Sequence, residues 1–175
     1  MSIKKHVTAI FASAALAFGA LIMGVITPAP ALAQDAKPAP IVIYDDALLN
    51  GWQNWSWAKV EMQVPAGSVK PIKVEGDPWT ALAFHHDPFS TKGYTKLTFF
   101  INGGVDGGQA IAIKVLVDGK AVESNYVIAP KTKQWLPVEV LLKDIGGQDV
   151  MVDGVWFQGQ ADAYKPYYIT KIQFE

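Results

Sequence analysis

The 175-residue chain contains no cysteine, no arginine and only three histidines. Without thiols there is no disulfide framework, no thiolate nucleophile and no lipid-bearing cysteine, and an oxidising compartment is tolerated. Without arginine, the guanidinium fork favoured for phosphate and nucleic acid is missing. All 15 cationic side chains are lysines, set against 16 acidic ones for a formal net charge of -1. Two of those lysines, Lys4 and Lys5, fall in an N-terminal leader, so the remainder is more acidic still. No basic patch is available, and nucleic acid is excluded as a partner. His85 and His86 are adjacent in an extended stretch, where neighbouring side chains point to opposite faces, so they cannot share one metal in regular geometry. Adding Asp87 gives HHD, which lacks the spacing of zinc sites. Outside the leader, helical periodicity never exceeds one or two turns.

What is present begins with a targeting signal. Lys4 and Lys5 form a positive start, Val7 to Ile26 is almost wholly apolar, and Ala31-Leu32-Ala33 is a small-x-small cleavage signature before Gln34. Residues 1–33 therefore read as a cleavable signal peptide. The alternative is an uncleaved anchor, since the apolar run approaches the ~20 residues that span a bilayer. Cleavage predicts a secreted or periplasmic protein with no stable membrane insertion. Residues 34–40, QDAKPAP, read as a proline-rich spacer, and residues 41–175 as one domain with material for a real core.

Within that domain the signals are strands and turns. Ile41 to Tyr44 is a compact apolar run. Ser56 to Val64 alternates, with Trp57, Lys59, Glu61 and Gln63 opposite Ala58, Val60, Met62 and Val64. Trp79 to His86 places Leu82, Phe84 and His86 on one face and Ala81, Ala83 and His85 on the other, with Asp87-Pro88 as its stop. Tyr94 to Ile101, Ala110 to Val117, Ala121 to Ile128, Trp135 to Leu142, Val152 to Gln158 and Tyr167 to Phe174 continue the pattern, and Lys143 to Gly147 reads as a single glycine-capped turn. Nine or ten short strands at this spacing predict an all-β fold, an antiparallel β-sandwich of the jelly-roll kind.

Tyr44 to Trp57, YDDALLNGWQNWSW, concentrates Trp52, Trp55 and Trp57 behind Asp45 and Asp46. Indoles this dense either fill a core or meet a ligand. Alternation puts Trp55 and Trp57 together on one face, away from Val60 and Met62, while the Gly51 turn leaves the direction of Trp52 undetermined and packing is its default. Sugar rings stack apolar C–H faces on aromatic planes while their hydroxyls seek amide, carboxylate and imidazole groups. That chemistry singles out Trp55, Trp57 and Trp79 as rings, and Gln53, Gln158 and His85 as polar contacts. His85 lies above a shallow trough left by Ala81 and Ala83. Trp135 and Trp156 are expected to be partly or fully buried.

The stretches YDDALLNGWQNWSW, LAFHHDPFSTKGYTKLTFFINGG (Leu82 to Gly104), WLPVEVLLKDIGG (Trp135 to Gly147), VWFQGQ (Val155 to Gln160) and YYITKIQF (Tyr167 to Phe174) resemble secreted jelly-roll modules related to carbohydrate-binding and galactose-binding-like domains. The resemblance implies a non-catalytic sandwich that binds polysaccharide. It also implies a structural calcium ion, for which Asp45 and Asp46 would be one half of the site. Thr170 and Lys171 stand where the family's other acidic half would be.

Three functions follow as expectations. The first is an exported carbohydrate-binding module for a polysaccharide or other glycan. The second is an envelope or extracellular protein whose aromatic patch meets another protein. The third, a glycan hydrolase, would need two carboxylates about 5–10 Å apart, and only Glu61 and Glu139 lie mid-strand on polar faces. No nucleophile or metal cluster supports catalysis, and the oligomeric state is left open.

Overall fold

In the computed structural model, residues 37–175 are described, and they are built from strands. The leader and the start of the spacer lie outside the described residues, so the expected cleavage at Ala33 has no structural counterpart here. In chain order the strands are β1 (Ile41–Tyr44), β2 (Gln53–Asn54), β3 (Lys59–Glu61), β4 (Ile72–Gly76), β5 (Ala81–Ser90) and β6 (Lys96–Asn102). They are followed by β7 (Ile111–Val117), β8 (Lys120–Ala121), β9 (Val127–Ile128), β10 (Trp135–Leu141), β11 (Met151–Gly159) and β12 (Tyr164–Phe174). A single 3₁₀ turn, Leu142–Ile145, ends on Gly146 at φ 70°, the left-handed glycine cap that KDIGG predicts.

The strands form two antiparallel sheets of six. One runs β10-β6-β12-β4-β3, with β1 also on β12; the other runs β2-β5-β11-β7-β8, with β9 also on β7. Alternation decides what lies between them. Leu97, Phe99 and Ile101 of β6 face Ile111, Ile113 and Val115 of β7 and Val155 and Phe157 of β11 in one buried cluster. Phe99 and Phe157 meet edge-to-face across the two sheets at 5.1 Å. Trp52 is buried at one end of this core, against Phe89, Phe174 and His86. It is a packing residue.

Three expected strands are redrawn by tertiary context. The run Ser56–Val64 is broken: residues 53–58 follow the edge of β5 in one sheet, and the chain then crosses to form β3 in the other. The break has a local cause, because the amides of Trp57 and Ala58 both bond to the Ala81 carbonyl, at 3.1 and 3.0 Å, and the ladder stalls there. Conversely, Asp87-Pro88 does not stop β5. Phe89 pairs with Val152 and His85 with Gly154, leaving His86, Asp87 and Pro88 opposite Asp153 alone. Proline lacks an N–H, and this three-to-one bulge requires none of it. The expected strand Ala121–Ile128 also divides, into β8 and β9.

Candidate functional site

The outer face of the β2-β5-β11-β7 sheet carries the site. Register sets its rows: Gln53 lies opposite His85, which lies opposite Gly154; Ala83 lies opposite Trp156, and Trp156 opposite Lys114; Ala81 lies opposite Gln158, and Gln158 opposite Ala112. Residues opposite one another in an antiparallel pair share a face. Beyond Asn54 the chain stays on this edge, with Trp55 N donating to Ala83 O at 2.9 Å and Trp57 N to Ala81 O. Trp55 and Trp57 thus stand over the alanine positions of β5. Between them Ser56 turns the other way, its hydroxyl exchanging bonds with the Ala83 backbone.

Two of the exposed rings are held by other rings, and the third, Trp79, is held at its backbone. Trp55, 58% exposed, stacks on His85 with centroids 3.7 Å apart and planes 3° apart, and its Nε1 donates to Gln53 Oε1 at 3.0 Å. One face of this indole is closed by the imidazole. Trp57 presses edge-to-face on Trp156 at 4.8 Å. Trp79 is 54% exposed and adopts φ +65°, a left-handed conformation costly for a bulky residue. Its backbone is clamped three times: its amide donates to Gln160 O, while its carbonyl accepts from Trp57 Nε1 and from Gln158 Nε2, each at 3.0 Å. Such strain costs about 1–3 kcal/mol and persists only where the surroundings over-determine it. Thr80 continues the clamp, since its hydroxyl meets Tyr164 Oη at 3.0 Å. Burial pushes the Tyr164 phenol up, against the opposing effect of the Thr80 bond, so it stays a protonated donor.

All six residues singled out by their sugar-binding chemistry, Gln53, Trp55, Trp57, Trp79, His85 and Gln158, are brought to this face. Two roles differ from expectation. His85 backs Trp55 instead of overhanging an open trough, because Ala81 and Ala83 are fully covered. Gln158 spends its amide N–H on Trp79. Trp156 joins the platform as the support of Trp57; its alternation with the core residues Val155 and Phe157 was the signal that places it outward. Lys114, beside it in register, is ion-paired with Glu123 at 2.8 Å. Trp135 is 38% exposed on the edge strand of the other sheet, with Phe100 nearby in register, so it lies away from this platform.

Asp45 and Asp46, the expected calcium half-site, are both engaged by other groups. Asp45 is ion-paired with Lys171 Nζ at 2.9 Å, and Asp46 accepts the Lys70 amide at 2.7 Å. Calcium takes six to eight oxygens, and an ammonium at the carboxylate opposes it. No group of three or more His, Asp or Glu residues able to hold a metal occurs among the described residues. Glu61 and Glu139 do not form a hydrolytic pair either. They lie on β3 and β10, the opposite edges of one sheet, four strand spacings or roughly 19 Å apart. Each faces a lysine instead, Lys73 for Glu61 and Lys96 for Glu139.

Comparison with known proteins agrees with the architecture. No family model matches the chain. Over 142 residues it is 27% identical to an endoglucanase of Dictyostelium discoideum, an alignment covering 74% of this chain and 20% of that protein. The chain thus spans about a fifth of the length of that curated relative. Among solved structures, a lysine-to-alanine variant of a family 29 carbohydrate-binding module superposes with a TM-score of 0.60 at 16% identity, over 79% of this chain and 92% of that one. A second such variant, complexed with cellulohexaose, gives 0.58 at 18% identity, over 78% and 89%. An aspartate-to-alanine variant complexed with mannohexaose gives 0.57 at 16%, over 78% and 90%. The chain therefore shares the two-sheet β-sandwich fold of the family 29 carbohydrate-binding modules.

Proposed function

We propose that this protein is an exported, non-catalytic carbohydrate-binding module. It holds a polysaccharide on the outer face of the β2-β5-β11-β7 sheet, by stacking sugar rings on Trp55, Trp57 and Trp79. The observation that carries this reading is Trp79, an exposed indole kept in a strained left-handed backbone by bonds from Trp57 and Gln158. Packing alone does not call for that expense, because the ring is largely in water. Presenting a rigid plane to a ligand does, since a pre-oriented ring loses little entropy on binding. The solved neighbours complexed with cellulohexaose and mannohexaose, and the partial match to an endoglucanase, support the same ligand class. In this reading the sandwich is a jelly roll of the galactose-binding-like kind, and residues 1–33 direct export and are removed.

Retention on insoluble cellulose, mannan and a wider polysaccharide panel tests the proposal. The wild-type protein is expected to be held by at least one of them, and Trp55→Ala and Trp57→Ala to elute early. A wild-type protein held by none, or both variants held like the wild type, overturns the assignment. One observation favours a second reading, contact with another protein: Phe100 and Trp135 are exposed on the opposite sheet, and Val105 in the turn after β6. Concentration-dependent association on size exclusion, abolished by Trp135→Ser and unaffected by Trp55→Ala, would support it.

A further inference from the structure

The aromatic platform does not end the face it stands on. One row past Gln158 and Ala112 the strands give way to loops, and a concavity of about 210 Å³ opens, lined by Gly107, Gly108, Ala110, Gln160, Asp162 and Lys165 among others. Its position is fixed relative to the platform, because the Trp79 amide bonds to the carbonyl of Gln160. Its chemistry changes there from aromatic to polar. Three mid-strand glutamates are matched with lysines, Glu61 with Lys73, Glu75 with Lys59 and Glu139 with Lys96. Asp162 and Lys165, however, make no ion pair among the described residues and both border this concavity. The Gln160 side chain makes only a long 3.4 Å bond, from its amide nitrogen to Gly159 O, leaving its carbonyl oxygen available. Gly108 forms part of the wall at φ +74°, and a β-carbon built there meets nothing within 4 Å.

We propose that this concavity is a further sugar subsite, continuing the platform beyond Trp79. It would hold one unit of the same glycan by hydrogen bonds to its hydroxyls rather than by stacking. Gln160 Oε1 and the Asp162 carboxylate supply acceptors, and the Lys165 ammonium supplies donors. The order along the face is then Trp55, Trp57, Trp79 and the polar pocket, so full affinity requires a chain long enough to reach all four. The inference rests on the platform binding glycan, and its test separates the two.

Isothermal titration with cello- and manno-oligosaccharides of two to six units would compare the wild type with Gln160→Ala/Asp162→Ala and, separately, Ala110→Leu, which fills the pocket from its exposed edge. The wild-type affinity is expected to climb with length up to the chain that spans platform and pocket. Both variants are expected to match the wild type on the shortest bound oligomer and to lose about tenfold on the longest, as two net hydrogen bonds imply. If the wild type binds oligomers and both variants keep its length dependence, the pocket is not a subsite, although the platform reading stands. If the wild type binds no oligosaccharide of any length and no polysaccharide, the platform reading fails first. Circular dichroism of both variants separates loss of the pocket from loss of the fold.

Discussion

Replacing Trp55 by alanine separates a binding role from a packing role. The ring is 58% exposed, and His85 closes one of its faces. A full indole side chain offers up to about 250 Å². A sugar on the one open face would therefore cover about 75 Å², worth about 2 kcal/mol at about 25 cal/mol per Å², or roughly 30-fold in affinity. The cost to the fold is of comparable size. Trp55 gives up its stack on His85, an aromatic contact worth about 0.5–1.5 kcal/mol, and a solvent-exposed bond to Gln53. For a domain of this size that lowers Tm by only a few degrees. Titration calorimetry on the best-retained oligosaccharide and a thermal melt, on the same preparation, give both numbers. A Trp55→Ala protein that binds within twofold of the wild type while melting ten degrees lower would refute the reasoning, because the ring would then be structural.

Three further outcomes follow from other parts of the molecule. Trp52→Ala should behave in the opposite sense: the ring is buried against Phe89 and Phe174, so its removal should cost about 3–5 kcal/mol by denaturant unfolding, with affinity intact in the fraction that remains folded. Adding calcium or a chelator should leave the melting temperature unchanged, because Lys171 already neutralises Asp45; a stabilisation that grows with calcium concentration would show that the ion displaces it. Glu175 is held below the ordinary carboxylate range, first by the Gln173 amide at 2.8 Å and next by the Thr98 hydroxyl at 2.9 Å. A depressed folded-state pKa contributes stability that is full above the unfolded value and is lost as pH falls through the folded one. Acid melts should therefore drop below the usual carboxylate range, and Glu175→Gln should flatten that part of the curve.

Much of this architecture is legible in local pattern, since burial on one face imposes a period of two wherever a strand forms. Alternation alone locates β6, β7, β10 and the core face of β11, and it sets Trp55 and Trp57 together with Ser56 turned away. The same residue chemistry points to Gln53, Trp79, His85 and Gln158 as companions of those rings. What alternation cannot report is which strand lies beside which. The crossing at Ala58, the continuation of β5 through Pro88 and the distance between Glu61 and Glu139 all depend on pairing between residues far apart in the chain.

The amino-acid sequence by itself determined that this is a chain of short strands with no thiol or arginine chemistry, and that three of its six indoles gather between Tyr44 and Trp57. Local periodicity and composition suffice for that. Only the tertiary structure decided that Trp52 packs against Phe89 and Phe174 in the core and that Trp79 joins Trp55 and Trp57 on one exposed face. It also decided that His85 backs Trp55, that Trp156 supports Trp57, and that Lys171 takes the carboxylate of Asp45. The direction and partner of a side chain at a turn or sheet edge are set by long-range register, and the left-handed backbone of Trp79 exists only because Trp57, Gln158 and Gln160 converge on it.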